Sequence, residues 1–491
     1  MTTNPEVVEA QTLPDTALAS GNNCRYGTAF TGATGLLDDL RVGSSVNFTV
    51  DFTDFGPAID YIPTIRVKQN QDVNGNRLPS YRVSPSLSNA GLGAFLDSYP
   101  GRLWLVGNEV DRVQYQDDIM PDIYAQAYHD IYHYIKDRDP TAQVAISGLV
   151  RISPGRLQYL DLVWSAYLAK FGTTIPVDVW NMHAYNLAEI QADGSDSGAA
   201  VALGTDPRLA LIWGPSLIPP GSSASYINQV CNQEKVVCTK DEDNISEFID
   251  QVVQMRQWMK SHGQQNKPLI ISEFSLLAPY NPEGAGCYIA DEFGNCFDPP
   301  RVNNFMTQSL NYLETAVDPS LGYPADGNRL VQQWSWYPTL VSNDDAVGSS
   351  SKLVNNNAAS LTLMGETYRN FASVPSNLIA RVMSEPPQAD LLATAPATAT
   401  VAAVFRNNGT VPTNGITTIS FRDVNGVTFH TATIDPGMRG CTLYPETISA
   451  EWTNLPAGTH KYNVYINNVY ADSGFVLVDP PYQSILPVVT R

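Results

Sequence analysis

Residues 103–112 read LWLVGNEVDR, an apolar run that ends in Gly-Asn-Glu and places a carboxylate at Glu109. An apolar run bounded by glycine and polar residues is typical of a strand in a parallel sheet that is covered on both faces. Residues 267–277, KPLIISEFSLL, have the same pattern and carry Glu273. Parallel α/β folds place functional side chains at the carboxyl ends of their strands, because the loops there vary while the sheet stays rigid. The two stretches therefore predict two glutamates at one edge of a parallel sheet.

Six further runs of this kind complete a set of eight predicted strands. Segments between them, such as residues 122–140 and 246–263, have the apolar i+4 repeat of amphipathic helices. This alternation predicts the α/β class and a closed (β/α)8 barrel, in which all strand-end residues share one site. The predicted strands are Arg25–Phe30, Val46–Phe52, Tyr61–Gln69, Arg102–Gly107, Ala142–Ser147, Val177–His183, Lys267–Ser272 and Arg329–Trp336.

The length of 491 residues exceeds what one hydrophobic core usually supports. We expect an N-terminal extension at residues 1–24, the barrel at 25–375, a linker rich in Pro, Ala, Ser and Thr at 376–398, and a second domain at 399–491. The second domain has alternating runs separated by turn signals such as NNGT, VNG and LPAG. This pattern predicts a small all-β sandwich.

The formal net charge is −20, from 29 Lys and Arg against 49 Asp and Glu. A phosphate backbone or an anionic membrane would be repelled at long range, so nucleic acid is not an expected partner. No apolar stretch reaches the ~20 residues that span a bilayer. Residues 1–20 lack the basic and apolar regions of a signal peptide. The chain is therefore expected to be either a processed exported protein or a cytoplasmic one.

The cysteines decide between these two compartments. Cys231 and Cys238 bracket NQEKVV, while Cys287 and Cys296 bracket YIADEFGN, so each pair can close a small loop by a disulfide. Zinc binding and free thiols are the alternatives, but neither pair has the short spacing of zinc ligands and no histidines cluster nearby. Disulfides would place the protein in the extracellular space or at the cell surface.

Barrel geometry places the ends of the fourth and seventh strands across one pocket, so Glu109 and Glu273 are expected to face each other. Hydrolysis of a glycosidic bond uses two carboxyl groups, one that protonates the leaving oxygen and one that is ionised. At a separation of ~5–5.5 Å the ionised group attacks the anomeric carbon and configuration is retained. Repulsion between like charges then raises one pKa and keeps a proton available near neutral pH.

Asn108 and Glu109 after the fourth strand, with Glu273 after the seventh, resemble the clan A glycoside hydrolases, which are retaining (β/α)8 enzymes. The resemblance covers roughly residues 25–371. It implies that Glu109 is the general acid and then base, that Glu273 is the nucleophile, and that Asn108 contacts the 2-hydroxyl of the sugar. It implies an oligosaccharide or polysaccharide substrate with a β-glycosidic bond and requires no cofactor.

Other residues resemble supporting groups of the same clan. WNMHAY on the sixth strand offers His183 and Tyr185, similar to groups that hydrogen-bond the nucleophile. QQWSWY on the eighth strand offers Trp334, which looks like the indole platform under the sugar. The clan's arginine near the nucleophile lies on the second strand, whereas the candidate here, Arg66, lies on the third predicted strand.

Each supporting residue also has a structural interpretation. His183 would fit a buried structural histidine, and Arg66 would fit a buried ion pair. Trp334 and Trp336 alternate along one strand, so both face the same side and would equally pack against helices. The two aspartates of QYQDD, residues 114–118, are expected to cap the helix that follows.

Two alternatives to a glycosidase remain open. VFRNNGTV and LPAGTHKYNVYI in the tail resemble the CARDB-like group of immunoglobulin-type adhesion domains, which implies cell-surface attachment or self-association. A non-catalytic barrel that binds glycans or builds a cell-surface assembly would use such a domain as its interaction module. A metal-dependent or Schiff-base barrel such as an aldolase has less support, because Lys68 is the only strand-end lysine and no His, Asp and Glu cluster has ligand spacing.

Overall fold

The computed structural model describes residues 22–29, 34–53, 55, 58–113, 116–281, 286–374, 382–385, 391–393, 395–413, 415–435 and 437–478. Most of the predicted N-terminal extension and linker, together with Phe30, Gln114 and Tyr115, lies outside the described residues. The chain divides into two compact units. One comprises Asn22–Val374 and the other contains Pro375–Arg491.

The first unit is built on eight parallel barrel strands. They are β1 (Asn23–Ala29), β2 (Val42–Asn47), β3 (Asp60–Gln71), β4 (Leu103–Asn108), β5 (Gln143–Gly148), β6 (Trp180–His183), β7 (Leu269–Phe274) and β8 (Gln333–Trp336). Their order is β5-β4-β3-β2-β1-β8-β7-β6. A parallel bridge between Ala145 and Val179 joins β5 to the residue preceding β6 and closes the ring. The predicted (β/α)8 class is confirmed, since each apolar run overlaps one strand.

Helices follow most of the barrel strands. They are α1 (Leu92–Ser98), α2 (Pro121–Arg138), α3 (Pro154–Phe171), α4 (Ala224–Cys231), α5 (Ile245–Ser261), α6 (Pro299–Thr315) and α7 (Leu363–Ala372). The predicted alternation is wrong at the start of the barrel. Within the described residues, only the short 3₁₀ turn Thr34–Leu36 separates β1 from β2, and no helix separates β2 from β3. β3 instead forms an antiparallel hairpin with Arg77–Ser84.

The start of α2 corrects the predicted capping role of the QYQDD aspartates. Pro121 takes the first helical position, and Met120 precedes it without a side-chain cap. Proline is favoured there because its fixed φ suits the helix and its missing N–H would be unsatisfied anyway. Asp117 instead pairs with Arg66 at 2.6 Å, and Asp118 pairs with an arginine of the β3 hairpin. The aspartates therefore join α2's leading segment to β3.

The surroundings of Gly27 on β1 show which strand residues point into the barrel. A Cβ built at Gly27 would overlap the Ser44 hydroxyl and lie 2.5 Å from the Ser335 hydroxyl. Residues of neighbouring parallel strands that converge in this way point into the barrel. Since side chains alternate along a strand, Trp334 and Trp336 point outward from β8, toward the helices.

The second unit is an all-β domain with one hydrophobic core. Its strands are β9 (Val382–Glu385), β10 (Leu391–Ala393), β11 (Ala397–Asn407), β12 (Thr417–Asp423), β13 (Thr428–Ile434), β14 (Glu446–Leu455), β15 (Gly458–Ile466) and β16 (Val469–Val478). They form two sheets, β9-β11-β14 and β10-β16-β15-β12-β13. Buried side chains of both sheets, including Phe405 and Phe421, form the core. The predicted all-β character of this region is confirmed.

Both predicted cysteine pairs are disulfides. Cys231 is bonded to Cys238 in the connection between β6 and β7, and Cys287 is bonded to Cys296 between β7 and β8. Both bonds therefore lie in loops at the carboxyl-terminal end of the barrel. In the part of the chain that the structure describes, no helix has the length and apolarity needed to cross a membrane.

Candidate active site

Glu109 follows β4 on a strained turn. Gly107 and Glu109 both have positive φ, 90° and 45°. A left-handed conformation of a non-glycine residue costs of order 1–3 kcal/mol and is concentrated at functional sites. The turn is held by hydrogen bonds from the Glu109 N–H to the Gly148 carbonyl and from the Arg112 N–H to the Glu109 carbonyl, each 3.0 Å long. Strand ends β4 and β5 together therefore fix the direction of the Glu109 side chain.

Glu273 is the second-last residue of β7, at the carboxyl end of the barrel. The register between β6 and β7 shifts between Ile271 and Glu273, and the Ala184 N–H donates to the Glu273 carbonyl at 3.1 Å. Glu109 and Glu273 are 4% and 6% exposed. Carboxylate oxygens of the two residues lie within 4.8 Å of each other. The structure thus brings together the two glutamates that the sequence placed 164 positions apart.

His183, at the end of β6, lies between the two carboxylates. Its Nδ1 is 3.3 Å from Glu109 Oε1 and its Nε2 is 3.4 Å from Glu273 Oε1. Tyr185 donates its hydroxyl to Glu273 Oε2 at 2.9 Å. Both residues predicted to hydrogen-bond the nucleophile therefore lie in the site, but only Tyr185 does so, because the hydrogen bond of His183 goes to Glu109 and its Nε2 makes none to Glu273.

Arg112 is a site residue that the sequence interpretation missed. Its Nη1 lies 3.0 Å from Glu109 Oε2, while its Nη2 donates to the Gly198 carbonyl at 2.6 Å. The signal was present in the sequence, because Arg112 follows Glu109 by three residues in the same charged turn. Its guanidinium joins the Glu109 turn to the long connection after β6.

The surroundings shift the pKa values of the two glutamates in opposite directions. Burial raises the pKa of Glu273 to about 7, with His183 opposing the shift and the charge of Glu109 adding to it. Burial also acts to raise the pKa of Glu109, but the hydrogen bond and charge of His183 and the charge of Arg112 outweigh it and lower this pKa. Burial therefore favours the protonated form of Glu273, while His183 and Arg112 favour the ionised form of Glu109.

Gly148 leaves the space that the His183 ring occupies. A Cβ at position 148 would lie 2.5 Å from His183 Nε2 and overlap the ring carbon beside it. The His183 N–H also donates to the Leu149 carbonyl at 3.0 Å. The end of β5 therefore sets the position of the imidazole between the carboxylates, a constraint that only the folded barrel reveals.

Arg66 reaches the site indirectly. Its described contacts include Asp117, at 2.6 Å, and the side-chain carbonyl of Gln116, at 3.0 Å. Asp117 Oδ2 in turn accepts the backbone N–H of Asn108 at 2.9 Å. Arg66 thus acts on the β4 end through Asp117, and its described contacts do not include Glu273. Asn108, at 5% exposure, lies beside Glu109 as predicted from the order of residues.

Trp334 does not line the barrel. It is 0% exposed, and its ring packs edge-on against Tyr26 at 5.1 Å, which in turn packs against Tyr368 of α7 at 5.2 Å. The predicted platform role is therefore wrong, because β8 turns this indole outward. Tyr337, three residues later, is on the inward alternation. Burial and the charges of Glu273 and Glu109 raise its pKa to about 12, which places its hydroxyl in the field of both carboxylates.

Glu109, His183 and Glu273 are also the residues with the spacing of a metal site. Their ligand atoms lie within 4.8 Å of one another. However, His183 directs opposite ring nitrogens at the two carboxylates, whereas one cation would need a single nitrogen and both carboxylates on the same side. Cys231, Cys238 and Asp241 form a second such cluster, but the two sulfurs are joined in a disulfide and are not thiolates. Neither cluster fits a resident metal as it stands.

Fold and site together define a (β/α)8 barrel protein with a pair of buried carboxylates at the carboxyl ends of β4 and β7, followed by an all-β domain. No family model and no curated protein sequence matches the chain.

Solved structures resemble the chain in fold. Bacteroides uniformis β-glucuronidase matches over 91% of this chain and 43% of its own, with 9% identity and a TM-score of 0.35, so this chain spans less than half of that enzyme. A glucosidase from Croceicoccus marinus matches over 88% of this chain and 94% of its own, with 9% identity and a TM-score of 0.42. The CARDB domain of a Pyrococcus furiosus protein matches over 20% of this chain and 93% of its own, with 15% identity and a TM-score of 0.17. Similarities of this size do not extend to activity or substrate.

Proposed function

We propose that the protein is a retaining glycoside hydrolase that cleaves a β-glycosidic bond in an oligosaccharide or polysaccharide. The observation that carries the proposal is the approach of Glu109 and Glu273 to within 4.8 Å between carboxylate oxygens, at the ends of β4 and β7. Retaining enzymes hold their carboxyl groups ~5–5.5 Å apart, whereas inverting enzymes leave ~6.5–9.5 Å for a water molecule. The short separation favours a double displacement.

In this mechanism Glu273 attacks the anomeric carbon while Glu109 gives its proton to the leaving oxygen. The bond between the anomeric carbon and that oxygen breaks as the glycosyl–Glu273 ester forms. Glu109, now ionised, then takes a proton from water, whose oxygen attacks the same carbon and releases Glu273. The sum is one water consumed and one glycosidic bond cleaved, and no cofactor is needed.

The order of the two pKa values in the free site is the reverse of what this reaction needs, and we propose that His183 carries the proton between the two glutamates. Glu273 has the raised pKa, of about 7, while the pKa of Glu109 is lowered. Because His183 faces Glu273 with Nε2 and Glu109 with Nδ1, the ring can accept a proton at one nitrogen and release another from the other. This relay leaves Glu273 ionised and Glu109 protonated once substrate is bound.

The remaining site residues support this chemistry. The Tyr185 hydroxyl, 2.9 Å from Glu273 Oε2, stabilises the ionised nucleophile and orients it. Asn108 is the candidate contact to the 2-hydroxyl of the sugar, as the clan resemblance implies. Tyr337, the residue that directly follows β8, replaces Trp334 as the candidate aromatic surface beside the sugar.

The all-β domain and the disulfides suggest where the enzyme works. Disulfides form and persist in oxidising compartments, so we propose an extracellular or cell-surface location. The CARDB-like pattern of the second unit supports an attachment or self-association role for that domain, outside the catalytic step.

The test is hydrolysis of a panel of aryl β-glycosides and polysaccharides by the wild type, Glu109→Ala and Glu273→Ala. The proposal expects both variants to lose activity. Azide is expected to give a β-glycosyl azide with Glu109→Ala, because it attacks the glycosyl–Glu273 ester, and an α-glycosyl azide with Glu273→Ala, because it replaces the nucleophile. Tyr128→Phe is a matched control, because its hydroxyl donates to the Pro176 carbonyl outside the site.

The outcomes separate the alternatives. A β-glycosyl azide from Glu273→Ala together with an α-glycosyl azide from Glu109→Ala would assign the nucleophile to Glu109 and contradict the proposed roles. Binding of the polysaccharides without hydrolysis would favour the non-catalytic glycan-binding barrel.

A further inference from the structure

A second cavity lies at the same end of the barrel, outside the proposed catalytic site. It has a volume of about 500 Å³ and is walled by residues that follow β5 and β6, by the loop closed by the Cys231–Cys238 disulfide, and by the start of α5. Glu109 and Glu273 are not among its lining residues. A volume of this size lies within the range of small-molecule sites, roughly 300–1,000 Å³.

Arg151 is the buried cation among the residues that line this cavity, and its described contacts include no counterion. The residue is 2% exposed, and its guanidinium donates from Nη1 to the Leu187 carbonyl at 2.5 Å and from Nε to the Ile152 carbonyl at 3.5 Å. Across the described residues, no hydrogen bond from Nη2 and no ion pair of Arg151 is found, although the side chain lines the cavity. Burial lowers its pKa to about 10.

The nearby carboxylates do not neutralise this charge by contact. Glu189 is occupied by Arg156 and by the Ser153 hydroxyl, and the backbone N–H of Leu211 binds its other oxygen. Glu247 at the start of α5 raises the Arg151 pKa through its charge, yet forms no ion pair with it among the described contacts. A buried charge is costly unless it is paired, so an unpaired guanidinium that faces a cavity indicates an anionic group in the ligand.

The residues that line the cavity limit the kind of anion that it can bind. Glu234, Asp241 and Glu247 line it together with Lys235 and the amide side chain of Asn244. Asp241 is already paired with Lys240, but the carboxylates of Glu234 and Glu247 would repel a compact polyanion such as phosphate, whereas hydroxyl groups donate hydrogen bonds to them. The lining therefore matches a molecule with one carboxylate and several hydroxyls.

We propose that this cavity binds a sugar acid, with the carboxylate of the ligand on the Arg151 guanidinium and its hydroxyl groups on the carboxylate and amide side chains of the walls. A planar guanidinium binds a carboxylate with charge-assisted hydrogen bonds and distinguishes it from a neutral hydroxymethyl group. The site is independent of the hydrolysis proposed above, because it uses none of the residues assigned to that reaction.

Titration calorimetry of the full chain with D-glucuronate and with D-glucose tests the inference. The wild type is expected to bind the acid at least about tenfold more tightly than the neutral sugar. Arg151→Met removes this preference. Leu211→Trp fills the cavity from its wall without touching the guanidinium and abolishes binding of the acid. Arg208→Met is the matched control, because Arg208 is 88% exposed and pairs with Asp206 at the surface.

A further variant distinguishes the cavity from the barrel site. Glu273→Ala is expected to keep the preference for D-glucuronate. Equal binding of acid and neutral sugar by the wild type would overturn the inference, as would binding of the acid that survives both Arg151→Met and Leu211→Trp. Thermal melts monitor folding, and if Arg151→Met fails to fold, the result with Leu211→Trp decides.

Discussion

Arg112 Nη1 lies 3.0 Å from Glu109 Oε2, so the proposed catalytic acid is held as an ion pair by a residue of its own turn. This contact lowers the pKa of Glu109, together with the hydrogen bond from His183. A general acid works in its protonated form, so a lowered pKa reduces the fraction of the free enzyme in which Glu109 carries a proton while Glu273 is ionised.

Arg112→Gln is expected to raise the pKa of Glu109, which is the lower of the two in the free site, and so to shift the low-pH limb of the kcat/KM profile toward higher pH. The measurement is the pH dependence of aryl glycoside hydrolysis. Arg138→Gln is the control, since Arg138 pairs with Asp97 at the surface. An unchanged limb in Arg112→Gln would show that the ion pair does not tune the acid.

Tyr185→Phe is expected to affect the opposite limb. The Tyr185 hydroxyl lowers the pKa of Glu273, which is the higher of the two in the free site, so its removal raises that pKa and moves the high-pH limb of the kcat/KM profile toward higher pH. Hydrogen bonds to charged groups contribute about 1.5–3 kcal/mol, which predicts a fall in kcat of about tenfold to hundredfold. A fall in kcat with no movement of the high-pH limb would contradict the link to the ionisation of Glu273.

Gly148→Ala is expected to displace His183, because the added Cβ would lie 2.5 Å from Nε2. Displacement of a catalytic group by about 1 Å can reduce activity about hundredfold. Gly155→Ala is the control, since its nearest neighbours to an added Cβ are 3.8 Å away. Activity of Gly148→Ala close to that of Gly155→Ala would show that the imidazole position is not required. Thermal melts of both variants separate this effect from unfolding.

Trp334→Ala and Tyr337→Ala distinguish the outer face of β8 from the inner one. Removal of the fully buried Trp334 indole is expected to lower the free energy of unfolding by about 3–5 kcal/mol, with KM for a folded sample unchanged. Tyr337→Ala is expected to raise KM with a smaller loss of stability. Denaturant unfolding and steady-state kinetics on both variants check this, and a raised KM in Trp334→Ala alone would reverse the assignment.

The barrel strands were predictable because each is an apolar run bounded by polar or glycine residues, and β4 and β7 also carried their glutamates at the correct end. The absence of helices between β1, β2 and β3 was not predictable in the described residues, because a closed barrel with alternating helices is the expected pattern and these short connections depart from it. The alternation of Trp334 and Trp336 showed that they share a face. It did not show which one, because both faces of a barrel strand are covered.

The site was predictable as far as single strand ends allow. Four candidate residues could be named because each lies within two residues of the carboxyl end of a strand: Glu109, Glu273, His183 and Tyr185. The effects of Gly148 on His183 and of Asp117 on the β4 end depend on contacts between neighbouring strands, which spacing along the chain does not reveal. The role proposed for Arg151 was likewise not predictable, since nothing in the sequence shows whether a guanidinium has a counterion.

Because of the two loop disulfides, the redox conditions under which the protein is produced affect every assay. Cys231–Cys238 forms a wall of the second cavity, and Cys287–Cys296 lies in the connection that leaves β7 after Glu273. Reduction of these two bonds adds only four hydrogens to the mass of the protein, yet it opens two loops at the carboxyl-terminal end of the barrel. A count of free thiols under denaturing conditions therefore belongs beside every assay, because inactive or non-binding samples with open loops would say nothing about the oxidised protein.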